Sequence, residues 1–330
     1  MAAPVYISLI LAGLVVLLFG GDLLVRGSAA LARKWKLPPL FVGLTIIAFG
    51  TSAPELVVSV QSALNGAPGL ALGNIVGSNI ANFLLVLGLP AVFGAIKTTT
   101  PGVRRNAIIA LIAAFALFAT GYDLVITLTE GLILFGLIIA YVSILAILSQ
   151  RTTDDPTLQE MTDLDGMEGL PGRMPMIIGA IVLGLVGLPI GAQMIVAGGT
   201  AAAEALHVDP ALIGLTALAF GTSLPELATV VMASIRKQAD LAIGNVLGSN
   251  VFNVFAVGGA TAVAASLAGH PLPVPQAFYS LDMWVMLGAT LVILGIILAR
   301  LSIGRILGVL LTLGYVSYIA VLAHSALAAV

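Results

Sequence analysis

Apolar positions in this chain come in long blocks, with neither the strict alternation of a half-buried strand nor the single stripe of a surface helix. Blocks of about 20 residues, the length that crosses roughly 30 Å of hydrocarbon at 1.5 Å per residue, recur from end to end. They place spans at 5–26, 38–64, 69–95, 104–122, 125–149, 174–205, 210–235, 241–268, 282–299 and 304–326. The expected fold is therefore an all-α integral membrane protein of ten transmembrane helices. Composition agrees: 60% of the 330 residues are hydrophobic and 8% are charged, against about a quarter charged in a soluble domain. The N-terminal MAAPVYISLI lacks a basic leader region, so the first block is read as a retained span. There is no cysteine, which excludes disulfides and thiolate metal sites.

Net charge is only −2, but the placement of the basic residues is one-sided. Arg33, Lys34, Lys36, Lys97, Arg104, Arg105, Arg151, Arg173, Arg236, Lys237, Arg300 and Arg305 all fall in alternate connections. The opposite connections, including 65–69, 121–124, 206–209 and 269–281, hold neither lysine nor arginine. Because basic loops stay in the cytoplasm, both termini are expected outside and the acidic stretch 150–173 inside.

The chain repeats itself at an offset of 171 residues. GGDLLVRG from Gly20 aligns with GAQMIVAG from Gly191, and PLFVGLTIIAFGTSAPEL with PALIGLTALAFGTSLPEL, twelve of eighteen positions being identical. LALGNIVGSNIAN, Leu70 to Asn82, matches LAIGNVLGSNVFN, Leu241 to Asn253, in the same register. With five spans per copy, the second copy enters the membrane in the opposite sense. The expected organisation is a first five-helix repeat at 1–149, an acidic cytoplasmic linker at 150–173 and an inverted repeat at 174–330. Transporters built this way hold substrate near the midplane, beside broken helices.

Polar chemistry inside these spans is concentrated in four segments. Pro54 and Pro225 cannot donate to the carbonyls of Gly50 and Gly221, so GTSAPEL and GTSLPEL predict broken helices near the midplane. Such breaks persist in a membrane only where the freed groups meet protein, water or an ion. Glu55 follows Thr51 and Ser52 by four and three residues, and Glu226 follows Thr222 and Ser223 in the same way, so helical stretches put them on one face. A buried carboxylate costs about 2.5–3.5 kcal/mol, and no basic residue lies at matching depth. Protonation, a bound cation or a wet cavity is required; the bland alternative is a pair of neutral glutamic acids bonding helix to helix. Ser78 with Asn82, and Ser249 with Asn253, lie four apart and add neutral oxygen donors. Carboxylate, hydroxyl, amide and carbonyl oxygens suit hard cations such as Ca²⁺ and Na⁺, unlike the nitrogen and sulfur sets of zinc or copper sites. Gly73 with Gly77, and Gly244 with Gly248, also have the spacing of close helix packing. Asn74, Asn79, Asn245 and Asn250 are read as braces of broken helices more than as ligands.

The paired GTS(A/L)PEL and GN(I/V)xGSN segments resemble the alpha repeats of the calcium/cation antiporter superfamily, and most of all its sodium/calcium exchangers of prokaryotic type. The resemblance implies ten helices in which the first and sixth slide against a core of the other eight. It implies Glu55 and Glu226 as central cation ligands, Ser52, Ser223, Thr51 and Thr222 as flanking donors, and Ala48 and Ala219 as carbonyl donors. Ser78, Ser249, Asn82 and Asn253 would complete the site. Some relatives carry aspartate where this chain has Asn253, which leaves two formal carboxylates here, the charge of one Ca²⁺ or two Na⁺.

The function expected is antiport of Ca²⁺ against Na⁺ in a prokaryotic cytoplasmic membrane, with Ca²⁺/H⁺ exchange as the alternative because burial raises a glutamate's pKa. A Ca²⁺ channel is a further class. A hydrolase is disfavoured because no His or Lys accompanies either motif at depth. The partners expected are cations and lipid, with no nucleic acid, obligate protein partner or resident cofactor. The linker, with Asp163, Asp165 and Glu168, lacks EF-hand spacing and reads as a solvated connector. Asp22 is expected to pair with Arg26 one turn on, and His207, His270, His324, Trp35 and Trp284 to lie at the interface.

Overall fold

The computed structural model describes residues 3–151, 173–205 and 221–328. Helices dominate. In chain order they are α1 (Ala3–Trp35), α2 (Pro39–Val42), α3 (Ala48–Thr51), α4 (Ala53–Leu64), α5 (Pro68–Ala81), α6 (Gly88–Phe93), α7 (Val103–Thr120) and α8 (Leu128–Arg151). They continue as α9 (Met174–Ala205), α10 (Leu224–Ile235), α11 (Ala239–Phe252), α12 (Gly259–Leu267), α13 (Ala277–Ser280), α14 (Asp282–Leu298) and α15 (Arg305–Ala328). Among the described residues three π-helical turns interrupt this series, at Gly43–Ile47, Asn82–Val86 and Asn253–Gly258.

Among the described residues seven helices are long and apolar enough to cross a membrane, and the bent run from Pro39 to Leu64 makes an eighth. Two shorter apolar helices, α10 and α14, lie at two further expected spans. The start of the span expected at 210–235, the linker and His207 fall outside the described residues.

The two spans with the GSN segments form the centre. In each, 89% of the most apolar stretch is buried, against 28% in α1 and α9. Leu72, Ile75 and Ile80 on α5 and Ile243, Val246 and Leu247 on α11 are fully enclosed. α1 and α9 instead run antiparallel along each other, backbone against backbone. A Cβ added at Gly191 would lie 2.6 Å from the Leu17 nitrogen, and one at Gly184 would lie 2.8 Å from the Gly20 oxygen. Their outer faces expose Leu11, Val15, Phe19, Val182, Leu183 and Val186, a continuous apolar surface of the kind lipid covers.

Close helix packing through small residues holds on α11, where a Cβ at Gly244 would meet the Leu40 oxygen at 2.8 Å and one at Gly248 the Leu44 oxygen at 2.6 Å. By the 171-residue offset the counterpart of Leu44 is Leu215, outside the described residues, so the matching contact of Gly77 is not described.

Short backbone pairings tie the connections together by side. Val125–Ile126 (β1) pairs antiparallel with Leu272–Pro273 (β2), joining two connections free of lysine and arginine. Ile96 bridges Ile303, joining two connections that carry Lys97 and Arg300. This grouping matches the alternation of basic loops. α8 begins with a reciprocal cap: the Thr127 hydroxyl and amide both donate to Glu130 Oε2 at 2.8 Å, and the Glu130 amide donates back to Thr127 Oγ1 at 3.4 Å.

Candidate cation site

The proline breaks form as their chemistry requires. α3 ends at Thr51, Ser52 takes φ −88° and ψ 4°, and α4 restarts with Pro54 in its first turn, where a missing N–H costs no helical bond. The chain bends by 42° there. Ser223 takes φ −86° and ψ 0° ahead of Pro225, so both halves make the same local break. Glu55 and Glu226 thereby sit in the first turns of α4 and α10, where exposed N–H groups and the helix dipole favour negative charge.

Both carboxylates are buried, Glu55 at 1% and Glu226 at 0% exposure. Ser52 donates to Glu226 Oε1 at 3.1 Å, which brings the two halves together. Glu226 Oε2 and both carboxylate oxygens of Glu55 have no hydrogen-bond partner. Among the described residues neither glutamate forms an ion pair, and no three His, Asp or Glu side chains cluster. The site therefore has two acids, and the rest of its polarity is neutral.

The other expected residues surround this pair. Ser78 and Thr222 hydroxyls meet across the halves at 3.4 Å. Thr51 donates to Asn245 Oδ1 at 3.2 Å and Ser249 to the same atom at 3.3 Å. Asn82 opens the π-turn Asn82–Val86 and donates to Asn250 Oδ1 at 3.0 Å, leaving its own Oδ1 unpartnered. Asn253 opens the corresponding turn in the other half, with both amide atoms buried and unpartnered. Ser223 Oγ is also buried and unpartnered. The Ala48 carbonyl accepts from the Ser52 amide at 3.1 Å and from Thr51 Oγ1 at 3.4 Å. Ala219 lies outside the described residues.

Sequence reasoning treated the flanking asparagines as one class, and the structure separates them. Asn74 Nδ2 donates to the Glu55 carbonyl at 3.1 Å and to Ser59 Oγ at 2.9 Å, bracing the broken helix beside the acid. The expected Asp22–Arg26 pair exists at 3.6 Å, but Asp22 is held more closely by Arg236, which reaches it with both Nε and Nη2. The local reading thus missed the principal partner, which arrives from the end of α10 in the other half. Trp35, Trp284, His270 and His324 are all exposed.

An unpartnered buried carboxylate beside hydroxyl and amide oxygens is a poor protein core and a good hard-cation cage. The sequence pattern of the family described as sodium/calcium exchanger protein matches residues 5–147 and 176–323, nearly the whole chain. The chain belongs to the sodium/calcium exchanger family. This is a family of membrane transporters. Among its relatives, inner membrane protein YrbG of Escherichia coli is 32% identical over 96% of either chain. Sodium/calcium exchanger MaX1 of Methanosarcina acetivorans is 30% identical over 95% of this chain and 97% of that one. The solved structure of the sodium-calcium exchanger NCX_Mj superimposes with a TM-score of 0.77 at 30% identity, covering 97% of this exchanger-family chain and 99% of NCX_Mj.

Proposed function

We propose that the chain is a secondary active antiporter that exchanges Ca²⁺ for Na⁺ across a prokaryotic cytoplasmic membrane, by alternating access at a site between two inverted five-helix repeats, 1–149 and 174–330. The observation that carries this reading is the pair of buried glutamates, one from each half, with three of their four carboxylate oxygens unpartnered. Glu55 and Glu226 are the central ligands, with Ser52, Ser223, Thr51 and Thr222 beside them. Ser78, Ser249, Asn82 and Asn253 complete the oxygen set, with the carbonyls of Ala48 and Ala219. Ten spans put both termini outside and the 150–173 linker in the cytoplasm. The partners are the transported cations and lipid, with no other cofactor, obligate protein partner or nucleic acid.

Exchange follows from electrostatics. Two bare carboxylates in the membrane cost about 5–7 kcal/mol together, so an empty site crosses roughly 10⁴ to 10⁵ times less readily than a neutralised one. One Ca²⁺ or two Na⁺ cancels that charge, so an inward Na⁺ gradient expels Ca²⁺. The α1–α9 pair, backbone against backbone along its length and with its outer faces apolar, supports sliding of the two as one unit.

The test is Ca²⁺ uptake by proteoliposomes loaded with Na⁺. Uptake that tracks the Na⁺ gradient is expected. Uptake indifferent to Na⁺ but driven by a pH gradient replaces this reading with Ca²⁺/H⁺ exchange, and uptake without any counter-ion makes the chain a uniporter.

A further inference from the structure

An asparagine ligand has a right end and a wrong end. Its Oδ1 attracts a cation and its Nδ2, of nearly the same shape, repels one, so something must fix which end is presented. Metal-site ligands are commonly held in this way by partners behind them. In this structure Asn82 donates through Nδ2 to Asn250 Oδ1 at 3.0 Å, and Asn250 is itself anchored by donating to the Asn79 carbonyl at 3.4 Å. Asn82 Oδ1 is thereby left buried and unpartnered.

The 171-residue offset pairs Asn79 with Asn250 and Asn82 with Asn253. The mirror bond, from Asn253 Nδ2 to Asn79 Oδ1, is not made, and Asn253 Nδ2, Asn253 Oδ1 and Asn79 Oδ1 are all buried without partners. Asn79 is nevertheless in place: its Nδ2 donates to the Ile75 carbonyl at 3.1 Å, so its oxygen is held apart from its own helix. The same one-sidedness recurs nearby. Ser52 donates to Glu226, while the mirror partners Ser223 Oγ and Glu55 both stand unpartnered. Ser78 meets Thr222, while Ser249 and Thr51 turn instead to Asn245.

We propose that Asn250 and Asn79 are positioning residues, each turning the opposite half's asparagine oxygen-forward toward the cation, and that this structure has the Asn250–Asn82 arm engaged and the Asn79–Asn253 arm released. This rests on the proposed cation site. Neither positioning residue touches the cation. Each acts by occupying the amide hydrogens of Asn82 or Asn253, so the two ligands are readied separately, one from each half.

A carboxylate has no wrong end, and that supplies the test. Ca²⁺ is titrated calorimetrically into the purified full-length chain, as wild type, N250L, N82D and N82D/N250L. N250L is expected to weaken binding about 10- to 100-fold, as loss of a residue behind a metal ligand does. In the N82D background the same change is expected to cost less than about 3-fold, since orientation no longer matters. An equal loss in both backgrounds shows a merely structural role and overturns the proposal, as does no loss in N250L alone. N250A repeats the comparison with a smaller side chain should N250L fold poorly. E55Q and E226Q run beside them: full Ca²⁺ binding in both refutes the cation site itself, whereas their loss with no background dependence at Asn250 refutes only the positioning role.

Discussion

The ion pair between Asp22 and Arg236 joins α1 to the end of α10, and its strength follows from its surroundings. The Asp22 side chain is 16% exposed and that of Arg236 is 32% exposed. Breaking a fully buried pair costs about 3–5 kcal/mol, and an exposed one about 0.2–1 kcal/mol. With two guanidinium nitrogens on one carboxylate oxygen and partial access to water, the coupling is expected near 1.5–2.5 kcal/mol. The i,i+4 contact with Arg26 is equally shielded but, at 3.6 Å, looser, and is expected at the about 0.3–0.5 kcal/mol of a pair one helical turn apart. Two double-mutant cycles measured by unfolding in mixed micelles separate these values, D22N with R236Q and D22N with R26Q. The first coupling is expected to be several times the second and to survive most of its strength at 1 M salt, because buried pairs are poorly screened. A D22N/R236Q coupling below about 0.5 kcal/mol, or a larger one with R26Q, refutes the assignment.

E55Q and E226Q, each removing one of two charges, are expected to weaken Ca²⁺ binding by at least about 100-fold, or about 2.7 kcal/mol, by calorimetry. Retention of wild-type affinity by either one excludes that glutamate as a ligand. In Gly248→Ala the new Cβ would lie 2.6 Å from the Leu44 oxygen and 2.8 Å from its Cα, both backbone atoms. The neighbouring helix has to shift, at a cost of about 1–3 kcal/mol in a thermal melt, and an unchanged melting temperature contradicts the close approach. Thr127→Ala removes the hydroxyl that accepts from the Glu130 amide, while the residue's own amide still donates to Glu130, and is expected to cost about 1 kcal/mol, whereas Thr127→Ser keeps the hydroxyl and most of that stability.

Features set by short-range chemistry were legible in the sequence. Pro54, set behind the small polar pair Thr51–Ser52, announced the break at Ser52, whereas Pro189 is carried inside α9 without ending it. Gly244 and Gly248 announced a close approach by their four-residue spacing. The offset of 171 residues located the second glutamate from the first. What stayed hidden depends on which helices meet. Asp22 lies 214 residues from Arg236, and sequence spacing favours the neighbour one turn away. Asn74 looks like Asn79 on paper, yet the Asn74 amide hydrogens brace the Glu55 carbonyl and Ser59 while those of Asn79 return to the Ile75 carbonyl of its own helix. The π-turns at Asn82 and Asn253 leave no mark in hydrophobic periodicity, because one residue looped into the ladder is held by packing around it.

Those two turns carry a consequence for phase. A π-turn inserts a residue into the helix without ending it, so the faces before and after it are offset by about 100° from an uninterrupted α-helix. Ser78 and Asn82 share a face on the near side of the slip, and Leu87 and Ala91 are buried on the far side. Deleting one residue within 82–86 would restore a regular ladder, yet it would rotate the whole downstream helix out of alignment with its neighbours. In this span regularity and correct aim exclude each other. The irregular turn lets a single helix address the polar site with one end and the apolar packing of α15 with the other.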